Sequence, residues 1–333
     1  MSEMMEKSRV LVTGADGFIG SHLVELLVEQ GADVRALVYY NSWNEIGWLK
    51  DTPPSILQNI EVVAGDVRDT EHMRALVKGC DYVMHLSSLI AIPYSYNAPR
   101  AYVDTNITGT LNVLNACRES DTLSRLVHVS TSEVYGSAQQ VPIDEDHPLV
   151  GQSPYSATKI AADKLVESFH LSFGLPVVTA RPFNTFGPRQ TARAVIPTII
   201  SQLIAGTEQI RLGALTPTRD FNFVTDTANG MLALALCQKA EGHVVNIGTG
   251  QEWSIKQVAD VLMQITGKRC EISIQRDRLR PQKSEVDRLV ADNTKIIRLC
   301  DWRPLVTFEQ GLSVTVEWVE ANLRHFNPER YAL

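Results

Sequence analysis

Tyr155 and Lys159 stand four residues apart in Tyr155-Ser156-Ala157-Thr158-Lys159, and on a helix that spacing puts both side chains on one face. An ammonium beside a phenol favours the phenolate, so the pair would make Tyr155 a base able to take a hydroxyl proton while hydride leaves the same carbon. A packed tyrosine with a lysine stem running along the same face satisfies the spacing equally well. Upstream, Ser130-Thr131-Ser132-Glu133-Val134-Tyr135-Gly136 follows an apolar run. Thr131 and Ser132 could hold a substrate hydroxyl, and Glu133 offers a second base near the first. Gly136 and Pro142 argue that no helix follows at once for Glu133 merely to cap.

A third group handles phosphate. Thr13-Gly14-Ala15-Asp16-Gly17-Phe18-Ile19-Gly20 lies between a strand-like run and a helix-like one, where glycines let the backbone turn tightly and approach a pyrophosphate. The glycines are spaced by threes, unlike the usual dinucleotide fingerprint, but the strand-to-helix context is the one that fingerprint needs. Gly14, Gly17 and Gly20, with Phe18 and Ile19 opening the helix, are therefore expected to hold a dinucleotide. Asp66 and Val67 follow the third strand, where Asp66 could accept an adenine amino group or cap the next helix. His85-Leu86-Ser87 ends the fourth strand; Leu86 and Ser87 are expected beside the nicotinamide, and His85 fits the core as well as the site. The acid normally found about 20 residues after the glycines is missing. Tyr39, Asn41 and Ser42 are the candidate ribose contacts there, so the cofactor is NAD(P), with NADP slightly favoured.

These residues need a scaffold, and the chain spells one. Strands are expected at Arg9 to Val12, Val34 to Val38, Ile60 to Ala64, Tyr82 to Leu86, Leu126 to Ser130 and Val177 to Arg181. Helices fall near Ile19 to Gln30, Glu71 to Lys78, Tyr102 to Glu119 and Tyr155 to Phe173. Alternation of this kind predicts an α/β fold, a doubly wound (Rossmann) parallel sheet, with a smaller C-terminal substrate-binding lobe. The expected division assigns 7–182 plus about 220–249 to the dinucleotide and 183–219 plus 250–333 to the substrate. A basic stretch from Lys268 to Arg288 is too scattered for a nucleic-acid arm and suits either a phosphate-facing loop or a solvated one.

At 333 residues, 44% hydrophobic and 21% charged, the composition excludes a disordered chain, and a net charge of −7 argues against a nucleic-acid partner. Five widely spaced cysteines suggest neither a disulfide framework nor a metal cluster, and fit a reducing cytoplasm. Met1 to Ser8 has no signal-peptide pattern, and apolar runs such as Leu232 to Cys237 are too short to span a membrane.

The glycine triplet, Thr131-Ser132-Glu133 and the Tyr155–Lys159 pair together resemble the extended short-chain dehydrogenase/reductases. Within them, Tyr39-Tyr40-Asn41-Ser42 with Gly47-Trp48-Leu49, Ile90-Ala91-Ile92-Pro93-Tyr94-Ser95-Tyr96, and Arg181-Pro182-Phe183-Asn184-Thr185-Phe186-Gly187-Pro188-Arg189-Gln190 are similar to nucleotide-sugar 4,6-dehydratases of the legionaminic-acid pathway. The segment Ser284-Glu285-Val286-Asp287-Arg288-Leu289 resembles GDP-mannose dehydratases. The resemblance implies a cytoplasmic enzyme that makes a 4-keto-6-deoxy sugar from a UDP- or GDP-linked N-acetylglucosamine. Tyr155 would serve oxidation at carbon 4 and Glu133 would take the carbon 5 proton. It further implies substrate contacts at Asn184, Arg193, Val195, Arg219 and Arg280, and a homodimer formed through helices carrying Val103, Ile107, Leu111, Leu114, Ile160, Leu165 and Phe169. Ser132 departs from the Thr-Asp-Glu of many such dehydratases and removes their acid. The same Thr-Ser-Glu resembles UDP-glucuronate decarboxylases, so decarboxylation, carbon 4 epimerisation and a non-catalytic dinucleotide sensor stay open.

Overall fold

The computed structural model describes residues 5–279 and 281–328. Fourteen strands among them run β1 Arg9–Thr13, β2 Asp33–Tyr39, β3 Ile60–Gly65, β4 Tyr82–His85, β5 Arg125–Val129, β6 Val177–Pro182, β7 Asn184–Phe186, β8 Gln209–Leu212, β9 Thr218–Arg219, β10 Phe221–Phe223, β11 Val244–Ile247, β12 Trp253–Ser254, β13 Glu271–Ile274 and β14 Arg288–Leu289. The α-helices are α1 Phe18–Glu29, α2 Pro54–Leu57, α3 Thr70–Val77, α4 Ile92–Asn97, α5 Pro99–Tyr102, α6 Gly109–Arg118, α7 Pro154–Phe173, α8 Val195–Ala205, α9 Val224–Leu236, α10 Ile255–Thr266, α11 Thr294–Cys300 and α12 Phe308–Ala321.

Seven strands form one parallel sheet in the order β11-β6-β5-β4-β1-β2-β3. Successive side chains on a strand point to opposite faces, and both faces here are apolar. Val10 and Val12 pack with residues of α1 and α9 in one core. Leu11, between them, packs with residues of α3, α6 and α7 in another. The doubly wound fold is thus built as expected, with strand ends within a residue or two of those anticipated. A smaller core gathers Phe186, Phe221, Phe223 and Phe308 with α8, α10 and α12, and three small sheets of two or three strands accompany it.

One expected helix is not continuous. Tyr102 to Glu119 is instead α5, a π-helical stretch over Val103–Thr108, and α6. The wider turn directs Asn106 inward, where its amide donates to Leu89 O (3.0 Å) and Thr158 Oγ1 (3.1 Å) and accepts from Leu89 N (2.8 Å). Insertions of this kind recur at functional sites. This one fastens the chain after β4 to α7.

Candidate active site

The glycine loop leaves β1 and enters α1 with Gly17 as the N-cap and no side chain satisfying the cap. Whether a dinucleotide suits it is decided by the glycines. Gly14 has φ +71°, and a Cβ there would lie 3.0 Å from Ser87 N; at Gly20 it would overlap Gly14 O. Only glycine permits this tight fold, which brings the amides at the start of a twelve-residue helix to a cleft of about 580 Å³. Gly14, Gly17, Phe18, Ile19, Gly20, Tyr39, Asp66, Val67, Leu86, Ser87, Thr131 and Tyr155 all line it. The residues present fit the cofactor.

Several expected contacts fall elsewhere. Asn41 and Ser42 do not line the cleft. Asn41 closes its own loop, donating to Glu45 O and accepting from Trp43 N and Glu45 N, which leaves it committed to the backbone. Asp66 does not cap α3; Asp69 does, accepting from His72 N. Asp66 instead grips Arg68, whose guanidinium holds its carboxyl below the usual range. His85 is a core residue, fixed between Thr13 Oγ1 (2.8 Å) and Thr110 Oγ1 (3.1 Å). Asp16 is one of the lining residues that sequence reasoning passed over: its carboxylate accepts from Tyr39 N at 3.1 Å, at the end of β2. Its place just before Gly17, where the loop folds back over the sheet, was the available signal.

The reacting groups converge at the carboxyl edge of β5. Pro154 and a reciprocal Ser153–Ser156 capping box start α7, so Tyr155 sits in its first turn, next to Thr131. The phenol is hydrogen-bonded to Thr131, whose hydroxyl also accepts from Glu133 N (3.2 Å). Burial pushes the Tyr155 phenol up, the Thr131 bond opposes this, and the Glu133 charge pushes it up further. Lys159, 3% exposed, donates to Val129 O at 2.7 Å; burial pushes it down to about 8, against the pull of Asp163. The expected lowering of the phenol by Lys159 is not what sets it: desolvation dominates, and Thr131 is the group that opposes it. A short 3-10 turn, Ser132–Tyr135, does follow Thr131, contrary to expectation, because Thr131 caps it and Gly136 at φ +64° ends it after one turn. Neither Ser132, which is 3% exposed, nor Glu133, which is partly exposed, lines the cleft or the pocket beside it.

Beneath these groups runs a buried network that motif spacing does not announce. Asp163, one turn beyond Lys159, accepts from Arg181 Nε (3.1 Å) and Nη2 (2.9 Å), and Arg181 Nη1 donates to Tyr135 Oη (3.0 Å). Tyr135 in turn donates to Asn246 Oδ1 (2.7 Å). The helix of Tyr155 and the turn of Glu133 are thereby tied to β6 and β11.

A second pocket of about 250 Å³ shares Thr185 and Gln190 with the cleft. Asn184, Arg193, Val195 and Arg219 line it, as expected of substrate contacts, and so does Arg278 from the basic stretch. Asn184 Oδ1 and Gln190 Oε1 are buried and find no hydrogen-bond partner among the described residues, as befits groups awaiting a ligand. Arg219 is buried, donates to Thr218 O and pairs with Glu285 at 3.4 Å. Arg280 lies outside the described residues. Arg288 pairs with Glu252 at the surface, and Lys268 donates to Leu203 O and Ile204 O at the end of α8, so only part of the basic stretch faces the pocket.

A doubly wound sheet, a glycine cradle and a Tyr–Lys pair opening on a second, arginine-bearing pocket define the dinucleotide-dependent enzymes of sugar nucleotides. The chain belongs to the GDP-mannose 4,6 dehydratase family, whose model matches residues 11–315. It is similar to a dTDP-glucose 4,6-dehydratase from Actinoplanes sp., 33% identical over 94% of this chain and 98% of that protein. It is likewise similar to a UDP-N-acetyl-alpha-D-glucosaminuronate decarboxylase from Bacillus cytotoxicus, 31% identical over 94% of this chain and 98% of that one. Among solved structures, the UDP-glucuronic acid 4-epimerase from Bacillus cereus in complex with UDP-glucuronic acid and NAD superposes with a TM-score of 0.84 at 28% identity, covering 94% of this chain and 99% of that chain. No described helix is long and apolar enough to cross a membrane.

Proposed function

We propose that the chain is a nucleotide-sugar 4,6-dehydratase of the legionaminic-acid type, converting UDP- or GDP-linked N-acetylglucosamine to the 4-keto-6-deoxy sugar nucleotide. The observation that carries this reading is the placement of Thr131 and Tyr155 together on the lining of the cleft, with Glu133 fastened two residues beyond through its N–H to Thr131 Oγ1. One redox base and one extra carboxylate at a single point are what dehydration needs and what simple oxidation does not. Segment 7–182 with 220–249 would hold the dinucleotide through Gly14, Gly17, Gly20, Tyr39, Asp66, Leu86 and Ser87, and 183–219 with 250–333 the sugar nucleotide. When bound, the nicotinamide supplies a place for hydride between its removal from carbon 4 and its return to carbon 6.

The chain's own residues do the proton work. Tyr155 takes the proton of the carbon 4 hydroxyl, with Thr131 beside it on the lining of the cleft and Lys159 one helical turn further on, bonded to Val129 O. The resulting ketone acidifies carbon 5, and Glu133 takes that proton; of the two protons then held by Tyr155 and Glu133, one leaves with the carbon 6 hydroxyl as water and the other is returned to carbon 5, so the turnover balances. Ser132 is too weak an acid, and too buried, to protonate that leaving group, so Glu133 acts in turn as base and acid or hands the proton on through water. Asn184, Arg193, Val195 and Arg219 bind the nucleotide, the guanidinium of Arg219 being suited to two phosphate oxygens at once. The reducing cytoplasm suits five cysteines that form no disulfide.

Decarboxylation and epimerisation share the first step, and the decarboxylase relative makes the former the reading to test against. Incubation with UDP- and GDP-linked N-acetylglucosamine and with UDP-glucuronate, followed by mass measurement, separates them. Loss of water from an N-acetylglucosamine nucleotide is expected. Loss of carbon dioxide from the glucuronate, or an unchanged mass throughout, would overturn the dehydratase reading.

A further inference from the structure

Asp16 lies between the loop glycines Gly14 and Gly17, and both its side chain and its carbonyl are held in place. Its Oδ2 accepts from Tyr39 N at 3.1 Å, and its own carbonyl accepts from Trp48 N at 3.0 Å. A Cβ on Gly47, which has φ +57°, would overlap that carbonyl, so the segment after β2 is pressed onto Asp16. The carboxylate is thereby pinned at the tip of β2 and lines the cleft. In this fold the tip of β2 receives the adenosine ribose, and an acid there bonds the ribose hydroxyls. Here β2 ends in Tyr39 and brings no acid of its own.

Among the described residues that line the cleft, no cation offsets Asp16. Of the residues lining the cleft, only Asp16, Asp66 and Arg68 carry charge, and Arg68 is engaged by both oxygens of Asp66. Arg35, the one basic residue of β2, does not line the cleft and is bound to Glu61 and Leu76 O. A ribose 2′-phosphate would bring a second anion against a fixed carboxylate, while a free 2′-hydroxyl could donate to it, since a carboxylate accepting one bond has further lone pairs.

We propose that Asp16, reaching across from the glycine loop, replaces the missing β2 acid as the ribose-recognising group and makes the protein select NAD over NADP. This reverses the leaning that Val38 to Ser42 suggested. It rests on the dinucleotide cleft of the preceding section and not on the fate of the sugar.

The test is binding of each dinucleotide to the full chain, without sugar, by titration calorimetry, in the wild type, Asp16→Asn and Asp16→Arg. Asparagine keeps an oxygen for Tyr39 N and removes the charge. The wild type is expected to bind NAD at least about tenfold more tightly than NADP; Asp16→Asn should shrink that ratio about tenfold, and Asp16→Arg should invert it. Equal wild-type affinities, or a ratio untouched by Asp16→Asn, would overturn the proposal. Loss of both dinucleotides in both variants would also overturn it, by making Asp16 a brace for the loop. A protein that discriminates as described but releases no water from any sugar nucleotide would leave this inference standing and remove the dehydratase reading.

Discussion

Lys159 departs from the chemistry its sequence context suggests, because a helix face says nothing of how deeply it is buried. Its ordinary value is 10.5 and burial pushes it down to about 8. Below about 8 the folded and unfolded chains both carry the charge, and the folded chain bears the full desolvation cost. That cost is relieved as pH rises from about 8 to 10.5, so stability from this group grows through that window. Lys159→Met removes the ammonium and leaves Val129 O without its donor. The melting temperature of the variant relative to wild type should therefore be higher at pH 7 than at pH 10, measured without cofactor. A difference that does not vary with pH would show that Lys159 is not held against its charge. Tyr155→Phe, by contrast, should abolish cofactor reduction while leaving dinucleotide affinity within a few-fold, as read by single-turnover absorbance and by calorimetry.

The elements themselves are largely legible, for a physical reason. Strands buried on both faces read as continuous apolar runs, and β1, β2, β4, β5 and β6 announce themselves so, while β3, at the sheet edge, is largely exposed. The break in the helix after Tyr102 does not, because a π-turn is set by a tertiary demand, the inward Asn106, and leaves local propensity unchanged. The same holds for the Asp163–Arg181–Tyr135 network, which joins α7, β6 and the turn after β5 through residues far apart in sequence. Arg181 is 3% exposed, and its loss would leave Asp163 buried with its main counter-ion gone. Breaking such a pair typically costs about 3–5 kcal/mol. Arg181→Met should show a loss of that order in urea unfolding; a loss below about 1 kcal/mol would mean that His128, 3.3 Å from Asp163, suffices to hold it.

At the scale of the molecule, the glycine cradle and the Tyr–Lys pair are visible in sequence because each is a local motif. Of the arginines of the second pocket, Arg193 and Arg219 are expected only through the family resemblance and Arg278 only as part of a basic stretch, since the fold is what brings the three together. The proposed homodimer belongs here too. Leu114 and Phe169 are buried, and Leu111, Ile160 and Leu165 pack partly buried against the chain's own cores, but Val103 is 39% exposed and Ile107 half-buried. That is the remainder expected of helices that pack inward and still offer an apolar stripe. Light scattering should return a dimer mass at micromolar concentration, and a monomer mass would contradict it.

Dehydration requires the two pockets to deliver one sugar to both bases, and it is tested most directly in the Glu133→Gln variant. Glutamine preserves size and most hydrogen bonding but cannot take a proton, and loss of a general base slows its step by about 10²- to 10⁴-fold. Mixed in stopped flow with cofactor and a UDP- or GDP-linked N-acetylglucosamine, the variant should accumulate reduced nicotinamide and a 4-keto hexose that retains its carbon 6 hydroxyl. Water loss at the wild-type rate, or no reduction of the cofactor at all, would contradict the assignment of Glu133 as the base at carbon 5.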